Sequence, residues 1–358
     1  MSEVDRLMRQ ALSDGVFPGA VLLAARGGAV RLHAAYGVAN LIDRRPVSPA
    51  TVFDLASLTK PLATTLAVMR LCQEGRLDPD QPLDAVLPGA AEGDKRGITI
   101  AQLLAHTSGL PDYRPYYREL VMLPAFARRA RLRQLLLGEP LLNPPGEKVL
   151  YSDLDFMLLD WVVETVAGLR LDRFLAGQVY GPLQAAPLFF VDLERPPPTA
   201  AFAATEQCPW RGRLLEGEVH DDNAHVVGGI AGHAGLFGTA AAIHVMLEEL
   251  LAAYHGSPAA RLFRSEVVRR FWEPVPGAGK TLGFDLPSPV DPSCGRFFPP
   301  DSVGHLGFTG TSFWIQRAER ALVILLTNRV HPSRENIAIR QFRPLIHDAV
   351  MQGLLTGS

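Results

Sequence analysis

Phe53-Asp54-Leu55-Ala56-Ser57-Leu58-Thr59-Lys60-Pro61 sets a serine and a lysine three positions apart at what reads as a helix start, just ahead of the largely apolar run Leu62 to Leu71. Residues three apart on a helix share a face, so the Lys60 amine reaches the Ser57 hydroxyl. The helix N-terminus stabilises negative charge developing there. A hydroxyl is a poor nucleophile until a neighbouring base activates it, which makes Ser57 the candidate nucleophile and Lys60 the candidate activator. Spacing alone is weak support, because serine and lysine at ordinary usage give S-x-x-K roughly once in a few hundred residues. Placement adds to it. The chain has only four lysines, Lys60, Lys95, Lys148 and Lys280, and this one lies against an apolar run. Lysine is rarely set against a core without a partner. A buried amine loses its proton more readily, which is the property a base needs.

With 358 residues the chain has room for two domains, or for one with a large insertion. Its 47% hydrophobic and 20% charged residues fit a soluble globular protein, and a net charge of -2 gives no general attraction to nucleic acid or anionic lipid. No run reaches the roughly 18 to 20 apolar residues that span a membrane. The stretch Met1-Ser2-Glu3-Val4-Asp5-Arg6 carries acids where a secretory signal would have its apolar core. Three cysteines, Cys72, Cys208 and Cys294, form no CxxC, which argues against a disulfide framework or a zinc site. The expectation is a cytoplasmic protein acting on a small molecule, with no nucleic-acid partner, no membrane association, no metal and no cofactor. Its oligomeric state is left open.

Working outward, Val4, Leu7, Met8, Ala11 and Leu12 predict an amphipathic helix ending near Gly15. Ala20 to Ala25 and Ala29 to Tyr36 flank Arg26-Gly27-Gly28 as a hairpin. The other end mirrors this: Thr311 to Arg317 and Ala321 to Thr327 flank a turn near Ala318-Glu319-Arg320. A closing helix follows, with Ile339, Phe342, Leu345, Ile346, Ala349 and Val350 on one face. In the middle, Thr99 and Gln102 spell a capping box, and Asp155 to Ala167 reads as a helix ending at Gly168. Strands at both ends with helical patterns between them predict an α/β fold. A mostly antiparallel sheet is built from both termini with flanking helices, and the middle is inserted as an all-helical domain. The expected division is 1-60 with 226-358 for the sheet part and 61-225 for the helical part.

Three further segments carry candidate chemistry: Tyr151-Ser152-Asp153, Gly232-His233-Ala234-Gly235, and Gly304-His305-Leu306-Gly307 leading into Phe308. In order and approximate spacing, these and the S-x-x-K stretch resemble the serine hydrolases that include class C β-lactamases, penicillin-binding D-alanine carboxypeptidases, D-aminopeptidases and related esterases. There the serine motif is followed by Tyr-x-Asn, then by Lys-Thr-Gly or His-Thr-Gly on a strand, and His106-Thr107-Ser108-Gly109-Leu110-Pro111 is also typical. The resemblance covers nearly the whole chain. It implies a β-lactamase/transpeptidase-like fold with the active site in the cleft between its two parts. It also implies an acyl-enzyme on Ser57, with Lys60 and Tyr151 sharing the proton traffic. Which of the two is the general base is open. A tyrosine needs cationic neighbours to act near neutral pH, a field that Lys60 and a protonated His305 would supply. The oxyanion hole would use the backbone N–H groups of Ser57 and Phe308, beside Leu306 and Gly307.

Two positions depart from the family pattern. Asp153 stands where asparagine is usual, which places a carboxylate beside Lys60 and weakens it as a base. Leu306 stands where threonine is usual, which removes a hydroxyl that helps hold a β-lactam or D-alanine carboxylate. The segment 217-225, with His220, Asp221 and Asn223, fits no standard zinc or calcium ligand set. It is expected to be a substrate-contacting loop or plain solvated surface. His33, His106, His233 and His244 are expected to be structural. The resemblance is strongest to a subgroup that includes muropeptide amidases, which makes a cell-wall fragment of the N-acetylmuramyl-L-alanine type the leading substrate. A carboxylesterase, a D-aminopeptidase or a weak β-lactamase is the alternative, and a non-catalytic penicillin-recognising domain is the alternative of another class.

Overall fold

The two chain ends pair in space. In the computed structural model, which describes residues 2–356, strands β1 (Gly19–Arg26) and β2 (Ala29–Gly37) form the first hairpin. Five short strands follow in the chain: β3 (Phe53–Asp54), β4 (Leu188–Phe190), β5 (Gln207–Cys208), β6 (Arg213–Leu214) and β7 (Leu236–Gly238). The chain then adds β8 (Val303–Leu306), β9 (Ser312–Gln316) and β10 (Ala321–Thr327). The main sheet runs β2-β1-β10-β9-β8 and is antiparallel throughout, with Ala20 opposite Thr327 and Arg26 opposite Ala321. This is the α/β architecture expected from the strand patterns at the two ends.

Both faces of the sheet are covered, so its central strands are apolar without interruption. Val21, Leu23 and Ala25 of β1 face one core together with Leu322, Ile324 and Leu326 of β10. Ala20, Leu22 and Ala24 face the other with Val323 and Leu325, under the helices Ser2–Ser13 and Ile339–Thr356. Period-two alternation thus sorts each strand between two cores. In the closing helix Ile339, Phe342, Ile346 and Val350 are buried as expected, but Leu345 is 58% exposed. It is one step of about 100° round from Ile346, which carries it past the edge of the apolar stripe.

The larger core runs on from the sheet through Leu62, Leu66 and Val68 to Phe156, Leu158 and Val162, so the helices of the middle region share it. Thr99 and Gln102 form the capping box, and Ser152 caps Asp153–Ala167, which starts two residues earlier than its apolar pattern suggests. The middle region is mostly helical and also carries β4, β5 and β6. Of these, β4 joins β3 and β7 in a three-stranded sheet. No helix among the described residues is long and apolar enough to cross a membrane.

Candidate active site

Ser57 lies on a sharp turn that follows directly from β3. Asp54 ends that strand, Ala56 takes a left-handed conformation (φ 47°), and Ala56–Leu58 forms a single tight helical turn. A widened turn, Lys60–Thr65, leads on into the α-helix Leu66–Gln73. The expected helix start is therefore a bend with one strained residue before the serine. Such strain persists only where the surroundings over-determine it. Here the Asp54 carboxylate accepts from Ala56 N–H (2.8 Å) and from His220 N–H (2.7 Å), while Thr309 Oγ1 donates to the Asp54 carbonyl (2.7 Å). One buried acid joins the Ser57 turn to the 220 loop, and its carbonyl joins it to the turn after β8. Replacing it by alanine, Asp54→Ala, strands two buried N–H groups and is expected to cost about 3 kcal/mol. Chemical denaturation checks this, and an unchanged midpoint would mean that the turn is held by other means.

Lys60 is fully buried and donates three hydrogen bonds, to Ser57 Oγ (3.3 Å), Asp153 Oδ1 (2.7 Å) and the His233 carbonyl (3.1 Å). Burial works against its charge, but Asp153 and Tyr151 outweigh that and hold the amine above its ordinary value. An ammonium with all three protons engaged has no lone pair to offer Ser57. Tyr151 lies beside it, with Lys60 Nζ 4.9 Å from the ring centroid. Its phenol is close enough to Lys60 and Ser57 for both to favour its ionised form. Burial pushes the phenol up, Lys60 pulls it down and Asp153 pushes it up again, with a net rise. Asp153 thus keeps a proton on both groups.

His305 does not supply a positive field. Burial, reinforced by the charges of Lys60 and Lys280 against the opposing Asp285, lowers it to about 4, so the ring is neutral. Its Nδ1 lies 2.8 Å from the Leu306 carbonyl, which only accepts, so Nδ1 carries the proton and Nε2 is left as an acceptor. The second cation is Lys280, 5.3 Å from the Tyr151 centroid and paired with Asp285. Sequence reasoning passed over Lys280 because nothing nearby in the chain marks it. The clue available was the scarcity of lysine.

The turn after β8 packs directly onto the segment that leads from β3 to Ser57. Thr311 Oγ1 donates to the Leu55 carbonyl (3.1 Å), and a Cβ added at Gly307 would come within 2.7 Å of that same oxygen. Only glycine fits. The Phe308 carbonyl accepts from Arg329 Nε (2.8 Å), and the Arg329 guanidinium covers its ring at 4.5 Å. Tyr151 and Asp153 are positioned through the residue between them. Ser152 N–H donates to His106 Nδ1 (3.1 Å), and Ser152 Oγ donates to the Pro111 carbonyl. Asp155, pushed well up by burial, meets the same His106 nitrogen at 3.0 Å. His106 is buried and braces this network, with its ring 4.6 Å from that of Tyr151.

Two cavities meet at Ser57. One of about 800 Å³ is lined by Ser57, Tyr151, His305, Leu306, Gly307 and Phe308 and extends towards the closing helix. One of about 370 Å³ is lined by Ser57, Tyr151, Asp153, Tyr113, His220 and Asp221. A serine with room on both sides suits a bond carrying a group at each end. His220 and Asp221 thus reach the site, but Asn223 lines neither cavity. Its amide accepts from Tyr117 N–H (2.8 Å) and donates to the Arg114 carbonyl (2.9 Å), bracing the segment that carries Tyr113. His233 lines the smaller cavity and meets Asp221 at 2.9 Å, so it belongs to the site wall. The acids and histidines of the 217-225 loop are spent on local partners. His220 meets Glu206 at 3.2 Å, and Asp222 accepts from Trp210 Nε1 (2.8 Å) and Arg211 (2.9 Å).

Comparison with known proteins gives consistent matches. A family model described as beta-lactamase matches residues 4–346. A putative D-alanyl-D-alanine carboxypeptidase of Escherichia coli (strain K12) is 31% identical, the match covering 92% of this chain and 82% of that protein. An N-acetylmuramyl-L-alanine amidase of Bacillus subtilis (strain 168) is 32% identical, covering 92% and 81%. Among solved structures, EstCE1, a hydrolase with promiscuous acyltransferase activity, superposes with a TM-score of 0.77 at 22% identity, covering 98% of each chain. The octameric penicillin-binding protein homologue from Pyrococcus abyssi superposes at 0.74 with 21% identity, covering 100% of this chain and 77% of that one. At those identities the two structures speak for the fold alone.

Proposed function

Because this chain belongs to the β-lactamase family of serine hydrolases, we propose that it cleaves the amide joining N-acetylmuramic acid to the peptide of a cell-wall muropeptide, through an acyl-enzyme on Ser57. The observation that carries the reading is the meeting of Ser57, Lys60 and Tyr151 where two cavities join. The Bacillus subtilis relative named an N-acetylmuramyl-L-alanine amidase supports the choice of substrate. Ser57 Oγ attacks the amide carbonyl and its proton passes to the Tyr151 phenolate. The backbone N–H groups of Ser57 and Phe308 receive the oxyanion, each such donor lowering the barrier by roughly 3 kcal/mol. Tyr151 then returns the proton to the leaving amine, takes one from the water that attacks the ester, and passes it to Ser57 Oγ as the ester bond breaks. Lys60 stays charged and steadies the phenolate. His305 lines the larger cavity, and its Nε2, left as an acceptor, takes a hydrogen bond from the substrate. His220 and Asp221 border the group lodged in the smaller cavity. A cytoplasmic setting and a role in recycling wall fragments belong to this reading.

The test is mass spectrometry of N-acetylmuramyl-dipeptide incubated with the wild type and with Ser57→Ala. Free sugar and free dipeptide from the wild type alone are expected. A second reading, D-alanyl-D-alanine carboxypeptidase, draws on the Escherichia coli relative, and Leu306 in place of threonine counts against it. Release of D-alanine from a pentapeptide, with the dipeptide substrate untouched, would favour that reading over the amidase.

A dependence on pH follows from Asp153. The phenol must lose its proton to act as base, and burial together with Asp153 holds that proton on. Turnover is therefore expected to rise with pH above neutrality. Asp153→Asn removes the charge that raises both Tyr151 and Lys60. The rising limb should then move to lower pH by about one unit, a gain of about tenfold at a fixed pH on that limb. A pH–rate profile of kcat/KM reads this directly. A limb that stays in place or moves up would show that Asp153 does not control the base.

A further inference from the structure

The larger cavity runs from Ser57 to the first two turns of the helix Ile339–Thr356, where Arg340 and Arg343 line it. Arg343 is 4% exposed, yet among the described residues its guanidinium forms no ion pair and donates no hydrogen bond, and its Nε is sealed from solvent without a partner. Burial, added to by the neighbouring Arg329 and Arg340, presses the group down to about 10. A buried charge is ordinarily paired, because leaving it unpaired is strongly destabilising.

Three of the other charged groups lining the cavity, Arg329, Asp285 and Asp348, are already committed, while the exposed Asp291 lines it without an ion pair among the described residues. Arg329 donates to the carbonyls of Phe308 (2.8 Å), Arg334 (2.8 Å) and Asn336 (2.6 Å). Asp285 is held by Lys280, and Asp348 is held by the Arg296 side chain (3.2 Å) and the Arg296 N–H (2.7 Å). Arg340 lies three residues before Arg343, on the same side of the helix, and has no ion pair of its own among the described residues. The positive end of an eighteen-residue helix adds to the same field.

We propose that this end of the cavity is a subsite for an anionic group of the substrate, a carboxylate or a phosphate, gripped by Arg343 with Arg340 at the rim. The inference rests on the reading of Ser57 as nucleophile only for the statement that the anion belongs to the substrate. The pairing itself is a property of the cavity. A planar guanidinium binds either oxyanion through two parallel N–H donors, and the gain is larger in a buried site than in water. The substrate is accordingly one that carries an acidic group remote from the bond cleaved, and its neutral counterpart is turned over poorly.

The experiment uses the full chain as Ser57→Ala, so that binding is read without turnover. Affinities for glutarate and for inorganic phosphate are measured by calorimetry, alone and with Arg343→Gln or Arg343→Lys added, each variant checked for fold by circular dichroism. Saturable binding of one anion is expected, weakened about tenfold or more by Arg343→Gln and partly restored by Arg343→Lys. The anion that binds more tightly names the chemistry. No saturable binding, or equal binding with glutamine at 343, would overturn the proposal. Should Arg343→Gln fail to fold, the lysine variant decides alone, since binding by it that matches the parent's would also count against a bidentate grip. In the wild type the same anion should inhibit ester hydrolysis competitively. Absence of any hydrolysis would remove the serine-hydrolase reading while leaving the binding result standing.

Discussion

Ser57→Ala is expected to lower turnover by at least about 10⁴-fold while leaving the fold intact. Every later step of the proposed route passes through the ester on this oxygen. Its side chain accepts a hydrogen bond from Lys60 at 3.3 Å, and without it Lys60 keeps Asp153 and the His233 carbonyl as partners. The site wall should therefore stand, and the melting temperature should change by no more than about a degree or two. Labelling with a fluorophosphonate gives an independent reading: the wild type should gain one adduct and the variant none. An adduct on the alanine variant, or residual hydrolysis above a small fraction of wild type, would place the nucleophile elsewhere.

Tyr151→Phe should cost about 10² to 10⁴-fold in kcat, the range for losing a positioned proton-transfer group, with a smaller change in KM. The phenyl ring would still fill the space between Lys60, Lys280 and His106, with the two amines 4.9 and 5.3 Å from the ring centre in the native site. Packing is therefore kept and only the hydroxyl is lost. The pH profile separates this from a structural effect. If Tyr151 is the base, the alkaline rise disappears together with the rate. A variant that is slow yet retains the rise would return the role to Lys60, despite its three hydrogen bonds and its carboxylate neighbour.

Asp153 connects these expectations. An asparagine there would leave Lys60 with one neutral acceptor, whereas the carboxylate at 2.7 Å holds the amine charged. That consequence followed from the residue's identity and its position two after Tyr151. The charge of His305 did not. A histidine in this motif was expected to be protonated, but two lysines share its surroundings and the ring is buried, so the neutral form is the stable one. Lys280 reaches Tyr151 from more than a hundred residues along the chain. Arg343, its guanidinium unpaired in a cavity, looks in sequence like any arginine on an amphipathic helix.

Local sequence determined the parts of this protein that depend on near neighbours: the terminal hairpins, the capping box at Thr99, the apolar faces of the helices, and the pairing of Ser57 with Lys60. These are set by periodicity of 2.0 and 3.6 and by turn chemistry, which act over a few residues. Tertiary structure alone decided which groups share the cleft and in what ionisation state. It brought Asp54 to the 220 loop, Thr309 to β3, Lys280 to the tyrosine and Arg343 to an open cavity. The physical reason is that proton affinity and pairing depend on burial and on charges within a few ångströms, whatever the distance between those residues along the chain.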